Sequence, residues 1–195
     1  DRDAKPAVEP QPYIIRTYDR WIILVLVLVL GWVIFRPLFA FSVYYRGLSF
    51  ERMFQMKTAL HYYRKSTQVD AHVPFGWQGW AELVMMRAPS DPIARADAIS
   101  ILQRGIANNP MYGPLEFDLG RTYFMGKDFL KARAAFVRAG RLMPNDLFTW
   151  DYAAWSSFHA GDVRTALTYW HQVLRIDPGN KVARQQIARY EDGRS

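Results

Sequence analysis

Cysteine is absent from the 195 residues. That excludes a disulfide framework, a thiolate metal site and a cysteine nucleophile. Histidine is scarce, with only His61, His72, His159 and His171. None has a second histidine or a carboxylate at a spacing that would build a metal site on one helix face, so no metal is expected. A glycine-rich phosphate loop is missing as well. No Lys-Ser/Thr follows the glycines of "GWQGW" (76–80), and the Gly-Lys of "GRTYFMGKD" (120–128) comes in the wrong order. Ser156 and Ser157 lie in a helix-like stretch with no nucleophile elbow around them. Nothing alternates with a period of two over a useful length, which argues against sheets. Charge is unbalanced but dispersed: 25 Lys+Arg against 18 Asp+Glu give a net charge of +7. The cations form no tract and read as a solvated basic surface. An enzyme has no residues to stand on here. We expect no catalytic residue, no cofactor, no small-molecule substrate and no nucleic-acid partner.

Apolar and aromatic side chains are abundant: half of the residues are hydrophobic and 15% are aromatic. The chain opens on Asp1 rather than methionine, which leaves room for a preceding segment. "DRDAKPAVEPQP" (1–12) is polar and proline-rich, and residues 1–17 read as a flexible tail. "WIILVLVLVLGWVIF" (21–35) carries no charge. Fifteen helical residues span roughly 22 Å, short of the ~30 Å hydrocarbon core of a bilayer. Extending the helix to 18–41, with Arg36 snorkelling its guanidinium toward the headgroups, makes it long enough to cross. Tyr18 and Trp21 at one end, and Tyr44 and Tyr45 at the other, resemble interfacial aromatic belts. A cleaved signal peptide would be followed by small residues, whereas bulky "FRPLFAF" follows here. Arg16 and Arg20 balance Arg36 and Arg46, so the positive-inside count is a tie. We read a single-pass protein of a bacterial inner (plasma) membrane with the C-terminal domain on the periplasmic side.

Beyond the apolar run, Pro110, Pro144 and Pro178 lie 34 residues apart. Segment 113–146 has Leu119, Gly120 and Tyr123, then Ala132, Phe136 and Ala139, closed by Pro144. Segment 147–180 has Trp150, Ala153 and Ala154, then Gly161, Ala166, Trp170 and Val173, closed by Pro178. This 34-residue pattern of paired helices resembles the tetratricopeptide repeat (TPR). The small residues let two helices approach, the large ones fill the space between them, and the proline stops the second helix. Residues 74–112 fit with Trp77, Ala98, Leu102 and Gly105, but the loop "APSDP" (88–92) makes this copy about five residues longer. There Ser90 or Asp91 is placed to cap the next helix, with Pro92 in its first turn. Residues 42–73 fit with Gly47, Ala59, Tyr63 and Ser66, welded to the apolar helix. Residues 181–192 form an amphipathic capping helix with Val182, Ile187 and Tyr190 on or near one face. The predicted fold is all-α: one transmembrane helix, then a right-handed superhelix of about four hairpins (domain 42–195) and a capping helix.

The resemblance implies a concave groove lined by the first helix of each pair. Its residues would be Phe75, Gln78, Glu82, Met85 and Met86; then Phe117, Arg121, Phe124 and Met125; then Phe148, Asp151, Trp155, Phe158 and His159. With only Arg121 and His159 as cations, a clamp for a peptide carboxylate is not expected. Aromatic and methionine side chains suit an apolar partner helix, or else pack against each other within a tight superhelix. The expected function is a non-catalytic, membrane-anchored scaffold that binds other subunits of a membrane complex and touches lipid through 18–41. Two alternatives stand beside it: a transient assembly factor or chaperone for membrane or exported proteins, and the TPR-bearing part of an O-antigen ligase-like membrane enzyme.

Overall fold

The computed structural model describes residues 17–191. The tail at 1–16, the side chain of Tyr18 and residue 192 of the capping helix lie outside the described residues. Among the described residues every regular element is a helix. In chain order they are α1 (Thr17–Arg52), α2 (Met56–Val69), α3 (Pro74–Met85), α4 (Pro92–Asn108), α5 (Gly113–Met125), α6 (Phe129–Leu142), α7 (Leu147–His159), α8 (Val163–Ile176) and α9 (Lys181–Glu191). The chain divides into two units, Asp1–Arg36 and Pro37–Ser195. In the first, the apolar side chains from Trp21 to Phe35 stand exposed on α1. The helix runs on through Pro37, which cannot donate to the carbonyl one turn back.

The second unit is a row of helical hairpins: the end of α1 with α2, then α3/α4, α5/α6 and α7/α8, with α9 against α8. Short turns and aspartate caps set the layout. Asp128 accepts a hydrogen bond from the Lys131 N–H at 3.3 Å and Asp162 from the Thr165 N–H at 3.1 Å, each at the start of a second helix. Asp146 does the same for α7 from Thr149 at 3.0 Å. For α4 the cap is Asp91, which accepts from the N–H groups of Ile93 and Ala94 at 2.9 and 3.1 Å, with Pro92 as the first helical residue. Each cap satisfies amide donors that the first turn leaves unpaired. In the turn before α8, Gly161 takes φ +82°, while in the turn before α6 the left-handed residue is Lys127 at φ 59°. Gly126 stands one place too early to serve there.

Packing follows the small–large alternation. Tyr63 is buried between two glycines: a Cβ on Gly47 would come within 2.7 Å of its ring, and one on Gly79 within 2.8 Å. Gly120 faces the ring of Phe136, which is fully buried. Trp77 and Trp150 share a further role. Each donates its indole N–H to the carbonyl six residues earlier, Ala71 and Pro144, at 2.9 Å in both cases. The tryptophan thereby ties the start of its hairpin to the preceding turn. In the middle hairpin that slot holds Glu116, which instead accepts a hydrogen bond from Arg138 Nε at 2.9 Å.

The capping helix differs from expectation in its face. Ala183 and Ile187, one turn apart, are buried, and Val182 is 49% exposed. Val182 lies a quarter turn from Ala183 and so points away from α8.

A test of the packing follows at Gly120. Alanine there gains up to about 1 kcal/mol of helix propensity. Its methyl, however, would sit 2.7 Å from a ring that has no free space to retreat into. Overpacking of this kind costs about 1–3 kcal/mol. Gly120→Ala is therefore expected to lower the thermal midpoint by a few degrees, and a rise would show that Phe136 can move.

Candidate protein-binding face

The first helices stand side by side and are stitched by aromatic contacts. Phe75 of α3 meets Phe41 and Tyr44 of α1 with ring centroids 5.5 and 5.6 Å away, and Tyr112 just before α5 at 5.7 Å. Tyr112 also donates its hydroxyl to Gln78 at 2.8 Å. Phe117 and Phe124 of α5 both meet Tyr152 of α7, edge-on at 5.7 and 5.8 Å.

Two hollows open on this face. The first, about 420 Å³, is lined by Pro114, Phe117, Arg121, Met143, Asp146, Phe148 and Tyr152. The second, about 370 Å³, is lined by Glu51, Glu82, Leu83, Met85, Met86, Pro89, Arg121 and Met125. Arg121 borders both. Phe148 is 65% exposed at the rim of one, and Met86 is 67% exposed at the rim of the other.

The expected groove residues thus fall into groups. Phe117, Arg121 and Phe148 meet at the first hollow; Met86, Met125 and Arg121 meet at the second. Met85 contributes less surface than its neighbour. It lines the second hollow but is only 4% exposed, because its side chain is turned into the core with Ala81, Ala98 and Leu102. Phe124, Phe129 and His159 line neither hollow but form an aromatic cluster that reaches the first through the Phe124–Tyr152 contact, with the imidazole stacked on Phe129 at 4.9 Å. Trp155 and Phe158 lean inward. Trp155 abuts Trp170 edge-on at 5.4 Å, and Phe158 contacts Tyr190 of α9 at 5.2 Å. Phe75 belongs to the aromatic contacts with α1 rather than to either hollow.

The face is more acidic than a count of its aromatics and methionines suggests. Glu51 accepts a hydrogen bond from the Tyr63 hydroxyl, and Glu82 lines the same hollow. Asp118, beside Phe117, is buried and pairs with Arg121 Nη1 at 3.0 Å. Burial, and then the charge of Glu82, push the Asp118 carboxyl up to about 6 against the pull of Arg121. Its second oxygen is buried without a hydrogen bond of good geometry. The Gln78 amide is near enough to favour the carboxylate slightly but does not close that bond. Burial also raises the Glu82 carboxyl, with a contribution from Glu51. Sequence reading placed Glu82 on this face but missed Asp118, Glu51 and Tyr152. The repeat offers a signal for two of them: Asp118 and Tyr152 are 34 residues apart, at one place on successive first helices. Among the described residues no cluster of three or more His, Asp or Glu could hold a metal ion.

No family model matches the chain, and no curated protein sequence does. Solved structures do resemble it. A crystal structure of MamA superposes with a TM-score of 0.64 at 20% identity, covering 75% of this chain and 83% of that one. YrrB, described as a TPR protein with an unusual peptide-binding site, gives 0.65 at 18% identity over 80% of this chain and 79% of its own. TTC0263, a thermophilic TPR protein of Thermus thermophilus, gives 0.61 at 19% identity over 76% and 79%. The chain therefore has the all-α fold of tetratricopeptide-repeat proteins.

Proposed function

We propose that this chain is a non-catalytic, membrane-anchored scaffold whose first-helix face binds a segment of a partner protein in a membrane complex. The observation that carries the anchor is exposure. The apolar side chains from Trp21 to Phe35 are each at least 46% exposed, and the most apolar 18-residue window of the helix has a mean hydropathy of 2.6 with none of it buried. In water such a surface drives aggregation, and lipid is the solvent that suits it. For the binding face, two adjacent hollows lined by aromatic and methionine side chains, with Arg121 between them, suit an amphipathic segment laid across α3, α5 and α7. The likeness to a TPR protein described by its peptide-binding site supports that occupant. In this reading the array is on the periplasmic side of a bacterial plasma membrane. Protease protection of the array in inside-out vesicles decides the face.

The test uses the two exposed rim residues, because Phe158 and Trp155 also hold the last hairpin together. The Phe148→Glu, Met86→Glu double variant should keep the helical content of the wild type. Purified in detergent from its own membranes, it should lose at least tenfold of the partner that co-purifies with the wild-type chain. Equal recovery of the partner would remove the face from consideration.

A further inference from the structure

The opposite side of the array carries a second opening, between α2 and α4 with α3 as its floor. Its volume is about 690 Å³, and it continues into a hollow of about 490 Å³ along α2. Its origin lies in the link between α3 and α4. That link spans six residues, 86–91, where the links of the next two hairpins span three. The extra chain lets α4 stand off, and α3 is left partly uncovered. The floor is Trp80, Leu83 and Val84, all half-buried. At the corresponding places of α7 the chain has Ala153, Ser156 and Ser157, all fully buried. The gap between second helices is thus filled at α7 and left open over bulky apolar side chains at α3.

The rim is cationic. Lys57 and Arg64 stand on α2 and Arg104 on α4, and Lys65 borders the adjoining hollow. None of the four is ion-paired among the described residues. The guanidinium of Arg64 lies over the Trp80 ring at 5.2 Å, and that of Arg104 over the Trp77 ring at 5.3 Å. These contacts hold both heads at the lip of the groove. Arg87 is neutralised by Asp91 at 2.8 Å, which leaves Asp97 as the one opposing carboxylate among the lining residues. Ile93 sits at the edge with 75% of its surface exposed.

We propose that this groove is a second docking site, taking an acidic amphipathic helix from a partner protein with its apolar face on Trp80, Leu83 and Val84. Charge complementarity and the apolar floor select the occupant together. Walls made of helices offer no unpaired backbone to a β-strand, and an apolar floor between two helices suits a helix laid in the groove. The border along α2 from Met56 to Gln68 covers twelve residue steps, roughly 18 Å, or about three turns of guest. Nucleic acid would seek an unbroken line of cations, whereas here Leu60, Ile93 and Leu83 interrupt them. Of its lining residues only Leu83 also borders a hollow of the first-helix face.

The probe is a fluorescein-labelled 14-residue helical peptide with leucine along one face and glutamate on both flanks. It is titrated against the full chain in phosphatidylcholine nanodiscs and followed by anisotropy. Saturable binding is expected, weakened several-fold at high salt and absent for the same peptide with lysine in place of glutamate. Arg64→Glu with Arg104→Glu should weaken it at least tenfold, and the exposed Ile93→Glu several-fold, with helical content unchanged. Phe148→Glu alone, at a residue that does not line this groove, should leave it intact. Three outcomes overturn the proposal: no saturable binding, equal binding by the groove variants, or tighter groove-dependent binding of a single-stranded oligonucleotide or of phosphatidylglycerol vesicles.

Discussion

Trp170→Ala is expected to lower the unfolding free energy by about 3–5 kcal/mol, the cost of emptying a large aromatic site in a core. For a chain of this size that is on the order of 10 °C in the thermal midpoint. Trp170 is fully buried. Its indole meets Trp155 edge-on at 5.4 Å and lies 6.1 Å from Phe158, in one cluster with Ala154, Ala183 and Ile187. The void would open at the junction of α7, α8 and α9, and neighbouring repeats depend on such junctions for their stability. Amide exchange in α9 should therefore accelerate together with that in α8. Val182→Ala, one residue before Ala183 but 49% exposed, should change stability by no more than about 0.5 kcal/mol. If α9 keeps its protection in Trp170→Ala, the capping helix does not share that core.

The second large effect is on pH dependence and centres on Asp118. Its carboxyl titrates at about 6 in the folded chain, above the ordinary 3.8. A raised folded value means that the folded state holds the proton more tightly than the unfolded one. The stability it contributes is fully present below about pH 4 and is lost as pH rises through about 6. A shift of about two units corresponds to on the order of 3 kcal/mol. Asp118→Asn carries no proton to lose. Its stability relative to the wild type should therefore improve by up to that amount between pH 4 and pH 7.5, as read from urea unfolding at each pH. Groups common to both proteins largely cancel in this comparison. Glu82, whose charge helps to raise Asp118, is itself raised mainly by burial. A pH-independent difference between the two chains would mean that the ion pair with Arg121 outweighs burial.

Much of the fold was legible because its grammar is local. Proline recurs at 34 residues after the last three second helices, with glycine or alanine at the helix crossings and a bulky side chain opposite them. Ala98, Leu102, Ala132, Phe136, Ala166 and Trp170 are all buried in the structure. The aspartates of "GKD" (126–128) and "AGD" (160–162) cap the helices that follow, each through the N–H three residues on. Other features depend on contacts that no spacing encodes. Met85 shares its residue type with Met86, and only the rotation of α3 decides which enters the core. Asp118 looks like a polar neighbour of Phe117 until the surrounding helices bury it. The opening above Trp80 follows from where a longer link lets α4 settle, which is a tertiary outcome.

The buried centre of each second helix differs from one pair to the next: Tyr63, Leu102, Phe136, Trp170. The opposing slots are cut to match, with Gly47 and Gly79 around the phenol, Gly120 before the phenyl and Ala154 in the cluster of the indole. The hairpins are keyed to their places like wards in a lock and cannot be traded like beads on a string. A chimera exchanging α2 and α8 would drive an indole into a cleft shaped for a smaller ring and leave the far end hollow. Lengthening or reshuffling such an array would require recutting both sides of every new joint.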